Sequence, residues 1–516
     1  MAAGPGAPDS GPAAAARFFC TAGRGLEPFL MREVRVRLQA TQVEYVSGKV
    51  FFTTCSDLNM LKKLKSAERL FLLIKKQFPF NVSSVNKGKI YNEMQRLIND
   101  DPESWLNAIL IWKNLLELDA KKKRLSQRDA NLLKRKVGEN DTIITKKLKA
   151  EQMQKTQESR ECQLEKQIGE ETPAQGEFLT NREKFQLEEC QTEAAKAAGT
   201  PSQKDLTFRV SCRCSGAMAK TFSAQEVGRI IGIALMKQFG WKADLRDPTA
   251  EIFIHLNDLY SIVGIPVFRA PLASRAYIRT AGLRSTIAWA MASVAEIKAG
   301  ALVLDPMCGL GTILLEAATE WPEAYYVGAD VSDSQLQGAR DNLKAAGLED
   351  KIALLKVSVV ELPLPPESVD VIISDIPFGK KFKLGKDIKS ILREMERVLR
   401  AGGAVVLLLG EAHCRSLAAD RDSSVPPNSK GGHADEPGAE KCLIPEEKTG
   451  TSETVSPSLE ADNQECPPKM PPFGSLVPVE CYKVSLGKTD AFIYKYKKLY
   501  SSGLEQPAYR VPCSRP

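Results

Sequence analysis

From Ala301 onward the apolar positions fall into short continuous runs, each followed by a turn and a stretch with helical spacing. The runs are ALVLD, AYYVGAD, IALLKVSV, VDVIISD and GGAVVLLLG, and the helical stretches include TILLEAA, SQLQGARDNLKAAG and IKSILREMERVL. Continuous β-branched and leucine-rich runs are expected of strands covered on both faces. Their alternation with helices predicts an α/β fold with a doubly wound parallel sheet. LVPVECYKVSLGKTDAFIYKYKK then predicts two terminal strands joined by a Gly-containing turn.

The front of the chain follows another pattern. Strand-like RFFCTA, VEYV and KVFFTT alternate with helix-like LEPFLMREVRVRL and LNMLKKL, which predicts a small α+β domain over 17–118. A second block, 165–267, opens on the strand TFRVSCRCSG, whose Cys212 and Cys214 share one face and are expected to be core residues rather than metal ligands. SAQEVGRIIGIALMKQFG follows as an amphipathic helix, with a capping box at Ser223 and Glu226 and a stop at Gly240. EIFIHLND and YSIVGIPV read as two more strands, and the parallel-sheet domain then occupies 268–500.

Composition adds two interruptions. Of the 516 residues, 43% are hydrophobic and 26% charged, with a net charge of +7, as in a globular protein. The stretch 416–474 holds 11 Asp and Glu against 5 Lys and Arg, with nine Pro and one aromatic residue. It cannot bury enough apolar surface to offset its chain entropy, so disorder is expected of it. The linker 119–164 is basic, with KKKR, KRK and KKLK between Lys121 and Lys149. A solvated linker, a nuclear-import signal and a phosphate-binding arm all suit it. The first 16 residues carry no Lys or Arg and no long apolar run, which predicts neither a secretory signal nor a transit peptide. No apolar stretch reaches the roughly 18 residues of a membrane span. Twelve Cys without CxxC pairs point away from disulfide and zinc scaffolds, towards a reducing compartment.

The candidate chemistry lies at the predicted strand ends. Asp305-Pro306-Met307-Cys308-Gly309-Leu310-Gly311-Thr312 links a strand to a helix, and such a turn lets backbone N–H groups approach a ligand. Asp330, at the end of the next strand, suits ribose hydroxyls, or else caps the following helix. Asp375-Ile376-Pro377-Phe378 ends the fourth strand, on the same sheet edge as the turn. A carboxylate and a carbonyl accept hydrogen bonds from a planar amine, and the aromatic ring stacks on its base.

DPMCGLGT followed by DIPFG resembles the class I S-adenosylmethionine-dependent amino-methyltransferases, whose catalytic tetrad is Asn/Asp-Pro-Pro-Tyr/Phe. The whole chain resembles the THUMP-domain RNA guanosine-N2 methyltransferases: a ferredoxin-like domain, a THUMP domain and a Rossmann-like methyltransferase domain. The resemblance implies S-adenosyl-L-methionine as cofactor, held by Asp305, Met307, Cys308, Gly309, Gly311, Thr312, Asp330 and Ser358. It implies catalysis by Asp375, Ile376, Pro377 and Phe378, with no metal ion. Structured RNA is the implied substrate, spliceosomal small nuclear RNA ahead of tRNA, and the nucleus is expected as its location ahead of the cytoplasm. A small zinc-binding methyltransferase activator subunit is the implied heterodimer partner, covering an apolar edge of the catalytic domain.

Three positions depart from the family pattern. Met307 stands where the first glycine is usual, Ile376 replaces the first proline, and Ser358 stands where many such enzymes place an adenine-binding Asp. The Ile376 position contributes its carbonyl, so the chemistry is expected to survive. RNA contacts are expected from Lys380, Lys381, Lys383 and Lys386, directly after the tetrad, and upstream from the region of Arg275, Arg279 and Arg284. Ser285 and Thr286, within the helix-like SRAYIRTAGLRSTIAWAMA ahead of the first strand, are expected to be ordinary N-caps. The tetrad also serves methylation of other bases and of protein amides. A non-catalytic RNA-binding protein is a further alternative, opposed by the intact Asp305, Gly309, Gly311, Asp330 and Asp375.

Overall fold

The computed structural model of the chain describes residues 15–80, 87–124, 206–377, 388–419, 472–487 and 489–500. In chain order the front elements are β1 (Ala16–Ala22), α1 (Glu27–Leu38), β2 (Thr41–Val46), β3 (Lys49–Thr54), α2 (Leu58–Leu61), β4 (Ala67–Gln77) and α3 (Lys87–Asn99). A helix α4 over 102–124 follows. Next come β5 (Thr207–Cys214), α5 (Ala217–Thr221), α6 (Ala224–Phe239), β6 (Lys242–Ala243), β7 (Ala250–Leu256) and β8 (Ser261–Pro266). The rest are α7 (Ser285–Val294), β9 (Leu302–Asp305), α8 (Thr312–Glu320), β10 (Tyr325–Asp330), α9 (Asp333–Ala346), β11 (Ile352–Lys356) and β12 (Val369–Asp375). The chain closes with α10 (Ile388–Val398), β13 (Leu399–Gly410), α11 (Glu411–Ala419), β14 (Leu476–Ser485) and β15 (Asp490–Lys498).

These elements form two units. The first takes the chain up to Cys55, Lys62–Phe71 and everything from Phe268; the second takes Ser56–Leu61 and Leu72–Val267. The stretch 17–118, expected as one domain, therefore divides between them. The apolar faces explain why. In the first unit, Leu26 and Phe29 of α1 enter the core formed by α7, α8 and a seven-stranded sheet, and the Phe29 ring packs 4.8 Å from that of Tyr482. In the second, α3 packs on α6 through a face of Ile90, Met94, Leu97 and Ile98. There Trp105 of α4 is buried, donating its indole N–H to the Leu97 carbonyl at 3.1 Å.

The second unit carries β5 between parallel β6 and β7, with β8 antiparallel to β7. Helix α6 forms the predicted capping box, the Ser223 hydroxyl accepting from the Glu226 N–H and the Ser223 N–H donating to the Glu226 carboxylate. Such a cap is worth about 1 kcal/mol. Gly240 closes the helix at φ 69°, a left-handed conformation that glycine adopts without steric penalty. Cys212 and Cys214 are partly buried on β5, and burial pushes the Cys212 thiol up to about 12.

In the first unit the seven-stranded sheet has the order β11-β10-β9-β12-β13-β15-β14. The first five strands are parallel, and the terminal hairpin β14–β15 joins antiparallel to β13. Successive strand residues face opposite sides. Val303 and Val371 therefore enter the core beneath α7 and α8, whereas Leu304 and Ile372 enter the core beneath α10 and α11. The strand order reverses between β9 and β12, which places a crevice at their carboxyl ends. Helix α7 begins one to two residues earlier than N-caps at Ser285 or Thr286 would place it. Arg284 is its N-cap, without a side-chain cap bond, so Ser285 and Thr286 are buried first-turn residues rather than caps. Most of the basic linker and of the acidic 416–474 stretch lies outside the described residues.

Candidate active site

Three strand ends converge at that crevice: Asp305 of β9, Asp330 of β10 and Asp375 of β12. The turn after β9 is shaped by Gly309 at φ +50° and Gly311 at φ +75°, values that side chains with a Cβ adopt only with strain. A Cβ on Gly309 would meet nothing nearer than the Gln335 side chain at 3.5 Å. Gly311 caps α8, and the first-turn N–H groups of that helix make the crevice favourable for polar and anionic groups.

Asp305 is 1% exposed and braces the turn from within. Its Oδ1 accepts from the Ser374 hydroxyl at 2.9 Å and from the Met307 N–H at 3.2 Å. Burial pushes its carboxyl up to about 8, and the charges of Asp375 and Asp330 add to the rise. Met307 is partly buried and packs against the core that holds Leu304 and Ile372. Cys308 is buried, its N–H donating to the Ala329 carbonyl at 2.8 Å, and burial holds its thiol well above the usual range. Thr312 is buried with a partnerless hydroxyl.

Asp330 is both a clamp and a candidate ligand. Its Oδ2 accepts from the Gly309 N–H at 3.0 Å and its Oδ1 from the Ser332 N–H at 2.8 Å. Each carboxylate oxygen keeps a second lone pair for a ligand hydroxyl. The cap of α9 is Ser332, whose hydroxyl accepts from Gln335, so the alternative of Asp330 as that cap is not what the structure forms. Ser358 is partly buried just after β11. Its carbonyl accepts from the Glu361 N–H, and its neighbour Val357 donates to the Asp330 carbonyl at 3.2 Å.

Asp375 is the last residue of β12. Its Oδ1 is fully enclosed and has no hydrogen-bond partner, and burial pushes the carboxyl up to about 7. Ile376 follows with a fully buried side chain, and its N–H is tied to the Leu408 carbonyl at 3.1 Å, which fixes the backbone at this point. Pro377 is partly buried. Phe378, Lys380, Lys381, Lys383 and Lys386 lie outside the described residues. Arg284 is exposed, with its guanidinium 3.7 Å from the Glu68 carboxylate.

The crevice thus holds acceptors of two kinds: a carboxylate oxygen aligned by a strand end but unsatisfied, and carboxylates already engaged in holding the turn. Among the described residues, Asp375 Oδ1 is the enclosed carboxylate oxygen there that stands without a donor.

Several contributors were not anticipated from the sequence. Ser374 supplies the bond that orients Asp305. Glu316, fully buried on α8, pairs with Arg275 at 2.9 Å and accepts from the Tyr277 hydroxyl. Asn342 is fully buried on the apolar face of α9, beside Ala339 and Leu343. A charged or amide residue within an otherwise apolar helical face, as in TILLEAA and LQGARDNL, is the signal that marks both.

Comparison with known proteins places this geometry. Residues 273–435 match the family model of the RMKL-like methyltransferase domain (UPF0020), and residues 186–264 match that of the THUMP domain. The chain is 76% identical over 499 residues to the human U6 snRNA (guanine-N(2))-methyltransferase THUMPD2, covering 97% of this chain and 99% of that protein. It is 74% identical over 503 residues to the protein of the same name from Bos taurus, covering 98% and 100% respectively. The crystal structure of TrmN from Thermus thermophilus shares the fold, with a TM-score of 0.54 at 18% identity, covering 94% of this chain and all of that one.

Proposed function

Because the chain belongs to the THUMP-domain RNA guanosine-N2 methyltransferase family, we propose that it methylates the exocyclic N2 of a guanosine in U6 small nuclear RNA, with S-adenosyl-L-methionine as donor. The observation that carries the reading is the enclosed, partnerless Oδ1 of Asp375 at the end of β12. A buried carboxylate oxygen left without a donor is unfavourable, and an amine bound there would supply the missing N–H.

The residues fit the donor. Gly309, where a Cβ would meet nothing nearer than the Gln335 side chain, leaves room for its methionine and ribose parts, while Gly311 lets the turn close against Ala339 and Leu343 of α9. The spare lone pairs of Asp330 suit the ribose hydroxyls, and the Ser358 hydroxyl takes the place of the usual adenine-binding Asp. Thr312 offers an unpaired hydroxyl at the start of α8. The donor's sulfonium supplies an electrophilic methyl group.

This chain's own work is positional. The guanine N2 lone pair is delocalised into the ring and is weakly nucleophilic. Asp375 and the Ile376 carbonyl accept the two N–H bonds of the amine, Pro377 fixes the backbone between them and Phe378, and Phe378 stacks on the base. Holding amine and methyl in line supplies much of the acceleration, and the Asp375 charge stabilises the positive charge developing on nitrogen. Asp375 takes the released proton, for which a carboxyl pushed up to about 7 is better matched than an ordinary one.

The THUMP domain and Lys380, Lys381, Lys383, Lys386 and Arg284 hold the RNA by its phosphates. The zinc-binding activator subunit covers the edge of the catalytic sheet at β11. This is supported by β11 being a terminal strand of the sheet and by Val331, directly after the neighbouring strand β10, being 65% exposed. A U6 substrate places the enzyme in the nucleus and its product in pre-mRNA splicing.

Full-length protein, with and without the activator subunit, would be incubated with donor and either a U6 or a tRNA transcript. Nucleoside mass spectrometry should detect N2-methylguanosine in U6 RNA, lost in Asp375→Ala. Methylation of tRNA alone would replace the substrate, and turnover by Asp375→Ala near the wild-type rate would remove the site.

A further inference from the structure

Asn342 uses its whole hydrogen-bonding capacity inside the protein. Its Oδ1 accepts from the N–H groups of Arg279 at 2.7 Å and Thr280 at 3.0 Å. Its Nδ2 donates to the carbonyls of Thr280 at 3.1 Å and Leu310 at 3.0 Å. Two donors on one side and two acceptors on the other allow a single orientation of the amide. Leu310 lies between the two glycines of the turn, so one buried side chain on α9 ties the segment 279–280 to the turn itself.

Independent contacts hold the same segment in place. At Gly282 a Cβ would lie 3.0 Å from the Thr312 hydroxyl and 3.3 Å from the Leu310 Cβ, so the backbone sits flush on the start of α8. Upstream, Arg275 and Tyr277 are both bonded to Glu316, one turn further along α8. Residues 279–282 are nonetheless exposed on their outer side. They form a rim beside the glycine turn whose position is decided from below.

We propose that Asn342 is a positioning residue for methyl transfer: it fixes the rim 279–282 on the glycine turn before any ligand arrives, so that the donor meets a preformed site. The proposal rests on the glycine turn being the donor site. No other side chain of similar size does this work. Leucine would leave two N–H groups and two carbonyls unpaired in a buried place, and aspartate would set a second acceptor against two carbonyls. A rim that is competent only part of the time weakens apparent affinity by the fraction lost. Unpairing buried groups on this scale predicts a loss of donor affinity on the order of 10-fold. Turnover at saturating donor should change far less, since the groups that hold the amine are untouched.

The test uses full-length protein and S-adenosylhomocysteine as the probe. Hydrogen exchange of the ligand-free protein reports the Arg279 and Thr280 amides, and calorimetry reports affinity. Asn342→Leu should speed exchange at those amides and weaken binding on the order of 10-fold, with the Michaelis constant for the donor rising rather than kcat falling. Should Asn342→Leu fail to fold, Gly282→Val forces a side chain between the same rim and the start of α8 and is expected to weaken binding likewise. Unchanged exchange and affinity in folded Asn342→Leu, or unchanged affinity in Gly282→Val, would overturn the role of Asn342. Wild-type protein that binds no S-adenosylhomocysteine would instead refute the donor-site reading beneath it.

Discussion

Asp375→Asn separates the stability and the chemistry of the site in one substitution. The amide keeps the shape of the carboxylate but removes its charge and one acceptor. Burial lifts the wild-type carboxyl from the ordinary 3.8 to about 7, a displacement of about three pH units. At about 1.4 kcal/mol per unit, the folded state would carry up to about 4 kcal/mol of unfavourable free energy once the group ionises. The residue is partly exposed, and solvent screening brings the expected effect to about 1–3 kcal/mol. The sign follows from proton uptake. Between about pH 4 and 7 the folded protein binds more protons at this site than the unfolded chain, so stability falls as pH rises through that window. The asparagine variant escapes that loss. Its advantage should be small at pH 5 and full by pH 8, read by chemical denaturation of both proteins at each pH. The Asp375 charge also adds to the rise of Asp305, so the asparagine variant lowers the Asp305 carboxyl and the difference between the two proteins carries that contribution as well. Turnover on RNA should fall on the order of 100-fold, while donor affinity barely moves. An Asp375→Asn protein less stable than wild type at pH 8 would show that Oδ1 is not the unsatisfied atom described, and undiminished turnover would exclude it from the chemistry.

Three other outcomes are expected. Gly311→Val places a side chain at φ +75°; strain should lower stability by about 1–2 kcal/mol and donor binding should collapse, so a folded variant with normal calorimetric affinity would contradict the assignment of the turn. Arg275→Ala strands the fully buried Glu316 without its partner and should destabilise by about 3–5 kcal/mol. The double variant Arg275→Met/Glu316→Leu should recover much of this in urea unfolding, and no recovery would mean that the pair is not the cause. Replacing Lys380, Lys381, Lys383 and Lys386 by Gln should weaken RNA binding and flatten its dependence on salt by about 0.7–0.9 in log–log slope for each phosphate no longer neutralised; an unchanged slope would take these lysines away from the RNA.

The joining of the N-terminal piece to the catalytic domain bears on delivery of the substrate. Helix α1 contributes Leu26 and Phe29 to the catalytic core, and Arg37 reaches Glu320 at the end of α8 at 2.6 Å. A fragment starting at 268 would leave that apolar surface uncovered, so an activity lost on truncation reports packing as well as RNA capture. Retaining 15–71 in the truncated protein distinguishes the two.

What the sequence determined by itself was local. Continuous apolar runs specify strands buried on both faces, as in β9, β12 and β13, because the pleat alternates its faces every residue. Ser223, Glu226 and Gly240 specify the ends of α6 through their own backbone bonds and φ. Asp305 to Thr312 and Asp375 to Pro377 were legible because a turn at positive φ and a strand-end carboxylate need particular residue types. The tertiary structure decided everything that depends on a partner distant in sequence. The apolar faces of α1 and α3 are alike in pattern, yet one meets Tyr482 and the other α6. Asp330 and Asp375 are equally acidic at equivalent strand ends. One is held by two backbone N–H groups, while the other keeps an oxygen with none. Asn342 looked like one more polar residue of α9 until folding brought Arg279, Thr280 and Leu310 around it. Periodicity reports which side of an element is buried, but only packing supplies the donors and acceptors that give a buried polar group its work.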